Sequence, residues 1–98
     1  MKLNYFCIKD FMRLLEEKLV YKNPNGLENN DFYVEPVAVN SIIEEMLKNK
    51  YNLQDIKYSY KMLENGFKYI TTNYNMASQL YQISGITIEG HNYLKQFQ

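Results

Sequence analysis

Gln54 to Phe67 reads QDIKYSYKMLENGF, and the spacing of its apolar residues predicts an amphipathic helix. Leu53, Ile56, Tyr60, Leu63 and Phe67 recur at intervals of three, four, three and four, which keeps them on one face of the helix. On this phasing Tyr60 is buried and Tyr58 exposed. The opposite face carries Gln54, Lys57, Tyr58, Lys61 and Asn65, and is polar, cationic and aromatic. Gly66 follows the periodic residues, where a left-handed helix end favours a residue without a Cβ. An apolar helical segment ending at Lys50 precedes this stretch across a short turn around Tyr51 and Asn52.

Working outward, the 98 residues suffice for one domain with one modest core, spanning 1–98. Formal net charge is zero, which argues against a protein coated in positive potential and leaves room for a local patch. The single cysteine, Cys7, excludes an internal disulfide and fits a reducing compartment. The first residues lack the apolar core and cleavage site of a signal peptide. No run approaches the roughly 20 apolar residues that span a bilayer. A cytoplasmic protein is expected. The abundance of Asn, Lys, Tyr and Ile reads as codon bias of an AT-rich genome.

Leu3 to Leu19 is expected to be the first helix, capped by Asn4, with Ile8, Phe11, Met12, Leu15 and Leu19 on its apolar face. Cys7 adjoins that face as a small buried hydrophobe. Tyr21 to Asn30 carries Asn-Pro, Asn-Gly and Asn-Asn and reads as a surface loop. Asp31 to Glu35 alternates as a short strand pairing with a later hairpin, and Pro36 holds it to an edge. Ser41 with Glu44 reads as a capping box opening a helix from Ile42 to Lys50, which buries Ile42, Ile43, Met46 and Leu47. Glu44 and Glu45 point about 100° apart and do not make an acid–base pair.

Beyond Gly66, Phe67–Thr72 and Gln79–Ile83 are rich in aromatic and β-branched residues, with Asn73–Ser78 as the tip between them. Tyr69, Tyr74, Asn75 and Gln79 are the expected exposed positions. Thr87 is placed to cap a last helix, with Glu89 near its positive end, and Ile86, Tyr93, Leu94 and Phe97 return that helix to the core. Gly90 in its first turn costs about 1 kcal/mol against alanine. Close approach of another backbone would account for it. The whole order predicts an α+β winged helix-turn-helix: three helices, a β-hairpin wing and a short C-terminal helix.

The combination of IxYxxxxLENGF from Ile56 with GITIEGHNYL from Gly85 resembles an uncharacterised bacterial and phage winged-helix family, a domain of unknown function. Its members close with G-(aliphatic)-T-x-E-G-H-(D/N)-(aromatic)-L. The likeness is close over Gly85–Leu94, fair over Ile56–Ile70 and weak before Pro36. Two departures are Tyr60, where an aliphatic residue is more usual, and the short last helix. The resemblance implies a recognition helix and a wing. The family has no settled activity, so it implies no reaction.

Neither catalytic, cofactor-binding nor metal-binding residues are expected. His91 stands without a second histidine or cysteines at ligand spacing, and reads as a histidine held by hydrogen bonds near the wing. No nucleophile-elbow, zinc-protease or P-loop motif is present, so an enzyme is not expected. Between Lys48 and Asn75 five lysines face Asp55 and Glu64, a local excess of three positive charges. That excess suits phosphates even when the total charge is zero. The expected function is double-stranded DNA binding, as in a small phage or prophage transcriptional regulator acting as monomer or homodimer. Gln54, Lys57, Tyr58, Lys61, Lys68 and Asn75 would make the contacts. The alternative is a phage-encoded adaptor that uses the same fold, and its many tyrosines, to bind a protein partner. Arg13 is the sole arginine, which tells against base readout by the commonest route.

Overall fold

The computed structural model describes residues 2–22 and 33–97. The rest of the expected Tyr21–Asn30 loop, with Asp31 and Phe32, lies outside the described residues. Among those described, the chain is α+β, with four α-helices and a three-stranded antiparallel sheet.

Helix α1 (Tyr5–Lys18) starts where expected, because the Asn4 side chain accepts the Cys7 N–H at 3.1 Å. Cys7, Ile8, Phe11, Met12 and Leu15 are buried. Tyr21–Lys22 (β1) pairs with Tyr33–Val34 (β2) in an antiparallel ladder. The strand that joins the later hairpin is instead Val37–Ala38 (β3), beyond Pro36, in register with Ile83 and Gln82. Pro36 therefore separates two short strands rather than closing one.

Helix α2 (Val39–Lys48) begins before Ser41, so the expected capping box does not form. Ser41 sits inside the first turn and donates its hydroxyl hydrogen to the Ala38 carbonyl at 2.8 Å, a back-bond available only to a residue already in the helix. Val39 joins Ile42 and Met46 in the core, Ile43 is half-buried, and Leu47 is exposed. Lys50, at φ 70°, ends the helix with a paired closure: its N–H donates to Leu47 and the Tyr51 N–H to Met46.

Helix α3 (Leu53–Lys61) is capped by Asn52, whose side chain accepts the Asp55 N–H at 2.8 Å. The expected stripe needs correction. Ile56, Ser59 and Leu63 are fully buried, Tyr60 and Phe67 lie half-buried at the margin, and Leu53 is exposed. Tyr58 is half-buried rather than exposed. Of the helix pairs, α1 and α3 are the most closely packed, and small side chains, Cys7 and Ser59, sit at their contact. A serine reads as polar in sequence, yet its small volume lets two helices approach.

The helix then widens into a single π-helical turn, Met62–Gly66, in which Phe67 N–H reaches Met62 O at 2.7 Å. Tyr69 N–H reaches back to Leu63 O at 2.9 Å. The left-handed residue of this ending is Lys68, at φ 58°, not Gly66. This closing corner occupies Phe67–Tyr69, so the hairpin starts later than expected. It comprises β4 (Ile70–Asn75) and β5 (Leu80–Ile86). The sheet order is β3-β5-β4, and Ser84 is the extra residue of a bulge opposite Thr71–Thr72.

Helix α4 (Ile88–Leu94) is capped by Thr87 as expected: its Oγ1 accepts the Gly90 N–H at 3.1 Å and donates to the Lys68 carbonyl at 2.8 Å. A 3₁₀ turn over Lys95–Phe97 follows. Leu94 is buried, while Tyr93 and Ile86 are half-buried and Phe97 is exposed. Tyr69, expected in solvent, is half-buried between Phe67 and Tyr93, with ring centroids 5.1 and 5.0 Å away. No helix among the described residues is long and apolar enough to cross a membrane.

Candidate functional site

Two tethers between α1 and the α2–α3 turn set the orientation of α3. Tyr51 donates its hydroxyl to the Asp10 carboxylate at 2.5 Å. The Asp55 carboxylate accepts from the side-chain amides of Asn4 and Asn52, each at 3.1 Å, so one acid joins the caps of two helices. With its buried edge held against α1, α3 turns Gln54, Lys57 and Lys61 to solvent, and these line one shallow surface depression with Tyr58.

Lys57 and Lys61 form a ridge. On its other side is a groove of about 400 Å³ bounded by Val39, Asn40 and Ile43 of α2, by Tyr60, and by Gln79, Leu80 and Tyr81 of the hairpin. Neither lysine has a carboxylate within ion-pair distance among the described residues, whereas Lys18 pairs with Glu45 at 2.8 Å. The Lys61 ammonium sits 5.9 Å from the Tyr60 ring centroid. Tyr60 also approaches Glu64 at 3.5 Å, and Glu64 accepts the Thr72 hydroxyl. Burial, and next the Glu64 charge, push the Tyr60 phenol up, so it is a neutral donor.

Gln54, Lys57, Tyr58 and Lys61 are thus brought together, and Lys68 and Asn75 stand apart from them. Lys68 is exposed at the far end of the π turn, beside the α4 cap. Asn75 shapes the hairpin tip: its side-chain oxygen accepts the N–H groups of Ala77 and Ser78 at 2.9 and 3.1 Å. Sequence reading missed Asn40, Leu80 and Tyr81 as walls of the groove. One signal could have found Tyr81. It precedes Ile83 by two residues and so shares the helix-facing side of β5, past the edge of the core. It packs edge-on against its cross-strand partner Tyr74, with centroids 5.0 Å apart.

His91 is exposed, and its ring has no hydrogen-bond partner among the described residues, contrary to the expectation of a fixed histidine. It borders a surface depression with Glu16, Leu19 and Val34. No cluster of three or more His, Cys, Asp or Glu side chains that could hold a metal occurs among the described residues. Cys7 is buried, and that burial pushes its thiol up, with the neighbouring Ser59 hydroxyl acting the other way. Such a thiol is a packing residue, not a nucleophile. Comparison of the chain with protein-family models, with curated proteins and with solved structures found no match in any of the three.

Proposed function

We propose that this chain is a winged-helix DNA-binding protein, of the kind that serves as a small phage or prophage transcriptional regulator, with α3 as its recognition helix. The element order α1, β3, α2, α3, β4, β5 and the sheet order β3-β5-β4 support the winged-helix reading, with β4–β5 as the wing. The observation that carries the DNA reading is the ridge of Lys57 and Lys61: two ammonium groups on the solvent face of α3 with no carboxylate partner among the described residues, next to a groove shared with the wing. Cations without carboxylate partners are free to displace counterions from phosphates. Gln54 and Tyr58 supply hydrogen bonds toward bases or backbone.

The test is the salt dependence of duplex binding. Three phosphate contacts, from Lys57, Lys61 and Lys68, give a log–log slope of about −2.7 for a monomer and about twice that for a symmetric dimer. Replacing Lys57 and Lys61 with alanine should flatten the slope by about 1.8 per protomer and leave the melting temperature unchanged, since both side chains are exposed.

A protein-binding adaptor is the second reading, and the hairpin favours it. Tyr81 is 60% exposed and Met76 82% exposed, with Tyr74 and Leu80 alongside. Such a patch suits an interface. Failure to shift duplex DNA at about 50 mM salt, where phosphate contacts are strongest, would reject DNA binding. Recovery of a protein partner that is lost on replacing Tyr74 and Tyr81 would then favour the adaptor.

A further inference from the structure

Among the described residues, three other than glycine hold left-handed backbone: Lys50 at φ 70°, Lys68 at φ 58° and Gln79 at φ 57°. That conformation presses Cβ against the following carbonyl, and glycine is the residue that adopts it freely. Glycine is at hand, for Gly66 lies two residues before Lys68. Yet none of Gly66, Gly85 and Gly90 occupies the left-handed region.

All three side chains are exposed, and none makes a hydrogen bond or ion pair among the described residues. The Lys50 and Lys68 corners close through backbone bonds, Tyr51 N–H to Met46 O and Tyr69 N–H to Leu63 O, that glycine would make equally well, and at the hairpin tip it is the Asn75 side chain, not that of Gln79, that holds the turn. A cation near a helix C-terminus is favourable, which suits Lys50 and Lys68. It does not account for Gln79, which is on no helix, and it does not require the left-handed position itself. Strain kept at positions where the side chain has no partner in the fold points outward, to a ligand.

Their placement names that ligand. Lys50 precedes α3 and Lys68 follows its π turn, so the two bracket a helical stretch, Leu53–Gly66, about 20 Å long. The major groove is about 12 Å wide, so a helix of this length that crosses it brings its two ends to the phosphates on either side. Gln79 faces Lys57 and Lys61 across the groove beside α3.

We infer that Lys50, Lys68 and Gln79 clamp the sugar–phosphate backbone of duplex DNA, Lys50 and Lys68 at the two ends of α3 and Gln79 from the hairpin. The inference rests on the reading of α3 as the DNA-facing helix. It adds Lys50 and Gln79 to the contact set, which takes the charged contacts from three to four and the expected monomer slope from about −2.7 to about −3.6, and it assigns Lys68 a place away from the ridge.

The decisive variant is Lys50→Gly with Lys68→Gly, leaving Lys57 and Lys61 in place, measured for melting temperature and for duplex binding across a salt series. The melting temperature should hold or rise. Affinity at 100 mM salt should fall roughly eightfold per lysine, and the log–log slope should flatten by about 1.8. Lys50→Arg with Lys68→Arg should bind like the parent protein. Gln79→Gly should weaken binding with no change of slope, because it removes no charge. Parent-like affinity and slope in the double-glycine variant, when Lys57→Ala with Lys61→Ala does lose binding, would overturn the clamp and leave the DNA reading standing. A parent protein that binds no duplex overturns both. If the glycines lower the melting temperature sharply, the lysines serve the fold, and parent-like binding by Lys50→Asn with Lys68→Asn, which tolerate the left-handed region, would confirm that and end the proposal.

Discussion

Replacing Gly90 with alanine tests the contact that locks α4 onto the end of α3. A Cβ at this position would lie 2.4 Å from the Tyr69 carbonyl oxygen and 2.7 Å from Ile86 Cγ2, with Met12 Cε at 3.2 Å. Backbone cannot swing aside as a side-chain tip does, so the helix or the corner must move by about 1 Å to restore normal contact. The Tyr69 oxygen also accepts the Thr87 N–H at 2.9 Å, and Thr87 in turn bonds Lys68 and Gly90. A shift of that size breaks the whole cap. Overpacking costs about 2 kcal/mol and the lost cap about as much again, while alanine returns about 1 kcal/mol of helix propensity. The net is about 3 kcal/mol, a fall of about 15 °C in melting temperature for a chain of this size. Urea unfolding followed by circular dichroism reads it directly. Gly66→Ala is the control, because the nearest atom to its added Cβ is the movable Met62 Cε at 2.7 Å, and it should stay within about 1 kcal/mol of the parent. A Gly90→Ala protein as stable as the parent would refute the close-approach reasoning.

Thr87→Ala should cost about 2 kcal/mol, because the hydroxyl both accepts from Gly90 and donates to Lys68, and Thr87→Ser should recover most of it. Ser59 is fully buried and its hydroxyl has no geometrically good partner among the described residues, so Ser59→Ala should be neutral or stabilising by up to about 1 kcal/mol in chemical denaturation. Burial first, and then the hydrogen bond to Asp10, push the Tyr51 phenol up to about 12 from an ordinary value near 10. The folded state therefore favours the neutral phenol: this contribution is whole below about pH 10 and is lost as the pH rises through about 12. Tyr51→Phe should remove the part of the alkaline stability loss that falls between those values, measured by unfolding at fixed urea across the pH range.

Local pattern in the chain was enough to place four helices, the hairpin and their order, because each rests on near neighbours. Asn4 and Thr87 cap through bonds that span three residues, and Gly90 betrays a crowded helix start by being a poor helix former. The cationic face of α3 was legible too, since Gln54, Lys57, Tyr58 and Lys61 share it by helical period alone. What faces what was decided elsewhere. Burial of Ser59 depends on the small Cys7 side chain of a distant helix, and no local period reveals a contact made by two small residues. The left-handed corner fell to Lys68 rather than Gly66 because the π turn delays the helix end, a widening invisible to a 3.6-residue pattern. Val37–Ala38, rather than the strand before Pro36, reached the hairpin because sheet pairing is settled by long-range register. The groove between Lys57, Lys61 and Tyr81 exists only where that sheet meets α3, so tertiary packing alone could create it.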